Sequence, residues 1–209
     1  MPVLDILHVG HPVLRERSRE LTREELLAPE TQTFIDDLVA TMRAANGAGI
    51  AAPQVGRAIR VCVIEVKDNP RYPYKPNIPL TILVNPVLRF RRGEAFVEPA
   101  VTSGPGRDLG DEAFENFEGC LSVPNLRGVV RRACEVEVTA WDRHGVESTR
   151  VVRGLSAGTF QHETDHLDGK LFLDRVEDTT TLCTWAEFDR FHKEAFVARI
   201  VPFIATWGG

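Results

Sequence analysis

No apolar run in the sequence approaches the roughly 20 residues that a bilayer-spanning helix needs, so no membrane partner is expected. The first residues, Met1-Pro2-Val3-Leu4-Asp5, hold no basic stretch ahead of an apolar core and are not rich in Arg and Ser. Neither a secretory signal nor a transit peptide is read there. Cysteine is scarce, with four in 209 residues at positions 62, 120, 134 and 183, and no close pairing. That spacing fits a reducing cytoplasm rather than a disulfide framework. A surplus of positive charge is missing too: the net charge of -5 gives no sign of direct nucleic-acid or polyanion binding. The 43% hydrophobic and 26% charged residues are ordinary for a globular protein, and one domain over residues 1–209 is expected.

What is present centres on Gln161-His162-Glu163-Thr164-Asp165-His166-Leu167-Asp168-Gly169. A helix here sends His162 and His166, four residues apart, out of one face, where two imidazoles can share a divalent cation. Glu163 lies beside them, suited to handling a proton of water at that cation. Chance His and Glu on a surface helix is the bland alternative. A third ligand must come from elsewhere. No His follows until His192, and Asp174, Glu177 and Asp178 come too soon after the helix to reach back. Cys120, in Glu118-Gly119-Cys120-Leu121-Ser122, is the better choice. A thiolate with two imidazoles suits a borderline divalent ion and leaves the fourth position for water. A structural zinc site would want a fourth protein ligand instead, and none stands at suitable spacing.

Around these residues the elements read as follows. His11-Pro12-Val13-Leu14 opens a short helical turn, with His8 and His11 as surface histidines. Phe34, Ile35, Leu38, Val39 and Met42 make one apolar stripe of a helix over 32–46, stopped at Asn46-Gly47. Strands are expected over 59–66 and 80–88, the second interrupted by Asn85-Pro86. Residues 67–79, with four prolines, and 103–112, rich in Gly and acids, read as loops. Residues 130–140 alternate as a strand and 146–153 return as its partner across Asp142-Arg143-His144-Gly145. A C-terminal helix is expected over 182–200, ending before Pro202. Its Arg190, Lys193 and Arg199 are balanced by Glu187, Asp189 and Glu194.

Three motifs in order, Gly47-Ala48-Gly49-Ile50-Ala51-Ala52-Pro53-Gln54, Glu118 to Ser122, and Gln161 to Gly169, make the chain resemble a peptide deformylase. The resemblance runs from about Ile6 to the helix after His166. It implies an α+β fold, with mixed or antiparallel sheets around a central helix bearing the H-E-x-x-H pattern. It also implies a metal-dependent hydrolase that removes the formyl group from N-formyl-methionyl nascent peptides and releases formate. The metal set would be Cys120, His162 and His166, holding one divalent ion: Fe(II) in the cell, with Zn(II) or Ni(II) able to take its place. Glu163 would be the acid–base group. The Gln54 side chain and the Leu121 backbone N–H would face the formyl oxygen. Ala48, Gly49 and Gly119 would pair with substrate main chain. Leu155, with Gly158 and Thr159, about one and two turns before His162 on the same helix, would wall an apolar pocket for the methionine. Arg127 matches a position near the cleft mouth, although a surface arginine is an equal reading. Asp165 is expected to pair with Arg131 or Arg132. Some deformylases dock a basic C-terminal helix on the ribosome, but the balanced charges here give such transient contact no electrostatic support. A protease cutting internal bonds and a catalytically silent binding protein are the rival readings; formate release against endopeptidase activity decides the first, and Glu163→Ala checks the second.

Overall fold

The computed structural model describes residues 2–68, 73–98 and 109–208. After a 3-10 turn at Pro12–Arg15 come α1 (Arg23–Leu27) and α2 (Pro29–Ala44). Thr22 and Glu25 cap α1 reciprocally, side chain to backbone in both directions. The expected stripe of α2 is buried through Phe34, Ile35, Leu38, Val39 and Met42, and Asn46, at φ +51, ends the segment in the left-handed region.

β1 (Gly49–Ala51), a 3-10 turn at Ala52–Val55, β2 (Val61–Val66), β3 (Ile78–Arg92) and β4 (Ala95–Val97) follow. Next are β5 (Ala113–Cys120), β6 (Val123–Ala133), β7 (Glu135–Trp141) and β8 (Glu147–Arg153). The fold is α+β with two sheets, one in the order β1-β2-β3-β7-β8 with β4 beside β3, the other β5-β6 joined by β9 (Cys183–Thr184). Every named strand pair is antiparallel, so the sheets are not mixed. Asn85-Pro86 does not end β3. The register shifts there, and the Asn85 side chain holds Leu21 through both its N–H and its carbonyl.

The alternating run at 130–140 divides in two. It crosses from one sheet to the other at Cys134, whose N–H bonds Glu112 and whose carbonyl accepts from Gly154. Continuous alternation hides this crossing because the pleat period is kept on both sides. β8 then delivers the chain to α3 (Gly154–Leu167), the helix carrying the central motif, through Gly154 at φ +58.

Two 3-10 turns, Phe172–Arg175 and Thr179–Thr181, lead to β9, α4 (Trp185–Glu187), a π turn at Phe188–His192 and α5 (Lys193–Trp207). The last helix does not stop before Pro202. It runs through it to Trp207, because Phe203, Ile204 and Trp207 still pack against the cluster of Phe114, Cys134 and Phe188. Pro202 itself is exposed, where a broken backbone bond is met by water. Lys193 pairs with Asp189 and Arg199 with Glu115, so two of the bases of this tail are locally neutralised.

Residues 103–108 of the expected 103–112 loop lie outside the described residues, as do 69–72 of the proline-rich loop. His8, His11 and His144 are exposed. No helix among the described residues is long and apolar enough to cross a membrane.

Candidate metal centre

Helix α3 is buried along every residue except His162, which opens onto a cleft. Most of the buried polar side chains of this helix find partners, while Ser156 Oγ, Glu163 Oε2 and His166 Nδ1 have no hydrogen-bond partner among the described residues. Gln161, fully buried, accepts from the N–H of Ala133 at 3.1 Å and donates to its carbonyl at 3.0 Å. It thereby satisfies the last residue of β6 just before the crossing. Asp165 receives Arg132 at 2.6 Å and Arg175 at 2.7 Å. Arg132 also grips Glu118 with two bonds of 2.8 Å, and Glu118 Oε2 lies 2.8 Å from His162 Nδ1. Two carboxylates and two guanidiniums thus form a neutral buried chain that ends on an imidazole. Such a partner fixes the ring and directs Nε2 of His162 toward the cleft. Of the two arginines anticipated for Asp165, Arg132 is the one that pairs, and Arg175 was not anticipated.

Cys120 comes from the end of β5, where the register shifts between Gly119 and Cys120. Its sulfur lies 3.3 Å from His166 Nε2. One ligand atom from each of Cys120, His162 and His166 falls within 4.8 Å of the others. A tetrahedral ion with metal–sulfur and metal–nitrogen bonds of about 2.3 and 2.1 Å would hold sulfur and nitrogen about 3.6 Å apart, so the set is pre-gathered for one. Burial works against the thiolate, but the two imidazoles outweigh it and bring the Cys120 thiol down to about 5. The donor set and its ionisation therefore fit a single divalent cation.

The other groups of the motif surround this point. Glu163 is 4% exposed, and its Oε2 has no hydrogen-bond partner among the described residues. Burial raises its carboxyl above the ordinary range, against the pull of the two imidazoles. Gly49 makes room for it, because a Cβ at that position would lie 2.6 Å from the Glu163 carboxyl carbon. Gln54 accepts from Ala51 N–H at 2.8 Å, which turns its amide nitrogen toward Ser122 Oγ at 3.1 Å and Cys120 Sγ at 3.5 Å. The N-terminal segment backs both sides of this corner: Leu7 N–H bonds the Gln54 carbonyl, and Val9 N–H bonds that of Ser122.

The cleft is lined by Ala48, Gly49, Gln54, Gly119, Leu121 and Glu163, among others. Leu155 is not among them. It sits in the first turn of α3, 1% exposed, packed with Phe114, Phe188 and Phe196 under α5, so it forms core rather than a pocket wall. Gly158 and Thr159, farther along α3, do reach the cleft. Arg127 is not a surface arginine: it is 1% exposed and packed behind Phe117 and Trp185, which line the cleft. Its guanidinium lies 3.9 Å from the Phe188 ring centre and 4.3 Å from that of Trp185, and donates to the Phe117 carbonyl. Lys75, Asn116, Phe117, Glu118 and Trp185 also line the cleft, and the sequence reading gave none of them a site role. Glu118 had a signal, since it and Cys120 are two apart on a strand and share a face. Lys75, from the proline-rich loop, had none.

Comparison with known proteins decides the family. The model for polypeptide deformylases matches residues 3–181.

The chain belongs to the peptide deformylase family.

A peptide deformylase 2 of Nostoc sp. is 38% identical over 186 residues, covering 89% of this chain and 93% of its own. One from Ralstonia nicotianae is 39% identical over 175 residues, covering 84% and 83%. The solved class I type b deformylase of Acinetobacter baumannii, bound to Met-Ala-Ser, superposes with a TM-score of 0.72 at 34% identity, covering 84% of this chain and 99% of that one. The chain is thus a hydrolase of protein synthesis that removes the N-formyl group from nascent peptides. Deformylases use a single divalent metal, and the Cys120–His162–His166 cluster is a site for one.

Proposed function

We propose that the cleft around Cys120, His162 and His166 is where the formyl group of an N-formyl-methionyl peptide is hydrolysed, with residues 1–209 acting as one domain. The observation that carries this is the convergence on one cleft of the thiol–imidazole cluster, a buried carboxyl lacking a hydrogen-bond partner at Oε2 among the described residues, and an amide turned inward. An ion held by Cys120, His162 and His166 would supply Lewis acidity, making water a nucleophile near neutral pH and polarising the formyl carbonyl. Glu163 accepts the proton of the attacking water and returns one to the departing amine, so that water and formamide become formate and a free N-terminus. Its raised carboxyl suits both steps. The Gln54 amide and the Leu121 N–H donate to the oxygen on which charge grows.

The peptide is held by its main chain. Among the described residues, β1 and β5 are each the last strand of their sheet, and both line the cleft. A substrate strand entering between them would bond Ala48 and Gly49 on one side and Gly119 on the other. That Met-Ala-Ser is bound by the Acinetobacter baumannii protein supports methionine as the first residue. The working ion is Fe(II), with Zn(II) and Ni(II) competent, since thiolate and imidazole suit all three. The work is done in the cytoplasm, in keeping with four free cysteines, one of them a metal ligand. Contact with the ribosome would be transient and would not depend on a basic helix, given the ion pairs of the tail.

Anaerobically purified protein, assayed for its metal content and for formate release from formyl-Met-Ala-Ser, tests this. One divalent ion per chain and formate without internal cleavage is the expected result. Cleavage of internal peptide bonds without formate would overturn it.

A further inference from the structure

The strand edge that would receive the peptide has an indole standing on it. On β5, Glu118 turns to the metal side, where it meets His162, and the sulfur of Cys120 meets His166 there. Gly119, next to Glu118 along the strand, faces the other way. The ring of Trp185 lies on that other face: a Cβ at Gly119 would stand 3.4 Å from Trp185 Cζ2. Trp185 is half-buried and lines the cleft. It follows directly on β9, which pairs with β6 at Leu126 and Arg127. Gly119 pairs with that same Arg127, whose guanidinium lies against the indole at 4.3 Å. Phe188 packs edge-to-face with the indole at 6.5 Å. The ring is therefore held in place by its own strand, a cation and a second ring. It lies past residue 181, where the match to the deformylase model ends.

We infer that Trp185 is a specificity-determining residue that reads the second residue of the peptide and favours a large apolar or aromatic side chain there. The inference rests on the deformylase reading above and on the strand pairing proposed with it. Successive residues of a strand turn their N–H and C=O groups to opposite sides. With residue 1 bonded to Ala48 and Gly49, residue 2 bonds Gly119. Partners across a ladder send their side chains to the same face, with Cβ atoms about 5 Å apart. The side chain of residue 2 thus leaves on the Trp185 face, away from the metal, where Gly119 has no side chain of its own to fill the space. A leucine or phenylalanine there covers the indole and leaves water, whereas alanine reaches little of it. A ring already fixed on several sides loses little freedom on being covered. Residue 3 returns to the metal face and does not meet the indole.

The test is formate release from formyl-Met-X-Ser, with X as alanine, leucine or phenylalanine, and from formyl-Met-Ala-Z, with Z as alanine or phenylalanine. At residue 2 the natural enzyme should favour phenylalanine over alanine by about 10-fold in kcat/KM, the worth of one aromatic pair and its buried area, with leucine between them. The gain should lie in KM with kcat nearly constant, because residue 2 is held alike before and during the reaction. Trp185→Ala should shrink the preference to about 2-fold or less, and leave the phenylalanine-to-alanine ratio at residue 3 as it was. Trp185→Phe should keep most of it. Trp185→Leu, which keeps an apolar contact at the same place, serves if Trp185→Ala folds poorly, and should lower the phenylalanine-to-leucine ratio at residue 2. Three results would overturn the inference while leaving the deformylase reading standing: a natural enzyme indifferent to residue 2, residue-2 ratios unchanged in both variants, or a loss at residue 3 as large as that at residue 2. No formate from any of the peptides would bring down both.

Discussion

Helices α2 and α3 are both packed into the interior, yet they are made of opposite material. Helix α2 buries mainly an apolar stripe, joined by Thr31, Asp37 and Thr41, and turns its other charged residues outward, with Arg43 held by Glu65 near the surface. Helix α3 buries Gln161, Glu163, Asp165 and His166 along with its apolar residues. The stripe of α2 stabilises by leaving water. The polar side chains of α3 gain little net stability from burial, because desolvation consumes most of what their bonds return. What burial gives them is fixed position. One helix holds the fold together, and the other holds the chemistry still.

Breaking this division takes variants on each side of it. The largest effect is expected for Glu163→Gln, which should lower kcat/KM by about 1000-fold or more while metal content and melting temperature stay as they were. Unfolding instead of inactivation would mean that α3 is structural after all. Leu38→Ala, in the fully buried stripe of α2, should cost about 3 kcal/mol in urea unfolding, with formate release per folded molecule unchanged. Gly49→Ala should push the Glu163 carboxyl aside and lower kcat by about 100-fold, leaving metal affinity and unfolding nearly as before. Glu118→Gln keeps a hydrogen bond to His162 but removes the charge, and should weaken metal binding about tenfold in chelator competition. Arg43→Ala, which breaks an exposed pair on α2, should change stability by less than about 1 kcal/mol and activity not at all.

The same contrast governs what the sequence could reveal. Periodicity announces α2, since i, i+4 and i+8 positions are apolar and burial follows from transfer free energy alone. It says nothing of α3, whose burial depends on partners from other segments: Ala133 for Gln161, Arg132 and Arg175 for Asp165. There only the motif gave the helix away. The crossing at Cys134 was invisible because alternation runs unbroken through it. Pro202 was read as a stop because propensity is local, whereas Phe203 and Trp207 hold the helix together by tertiary contact. Leu155 was assigned by its spacing from His162 along the helix. Spacing fixes an angle around the axis, but not whether that angle faces the cleft or α5. Lys75 arrives from a loop far from every motif, so no local signal could have put it in the cleft.

On the pairing proposed above, the three residues of β1 and the end of β5 would meet an entering chain through amides and carbonyls. Those groups are identical in every polypeptide, so a ladder formed with them is blind to the message translated after the first codon. One enzyme of this shape can therefore serve a whole proteome, sorting its clients only at their leading end. The brevity of β1 belongs to the same design: an edge this short grips a strand in transit, yet offers too few rungs to keep it.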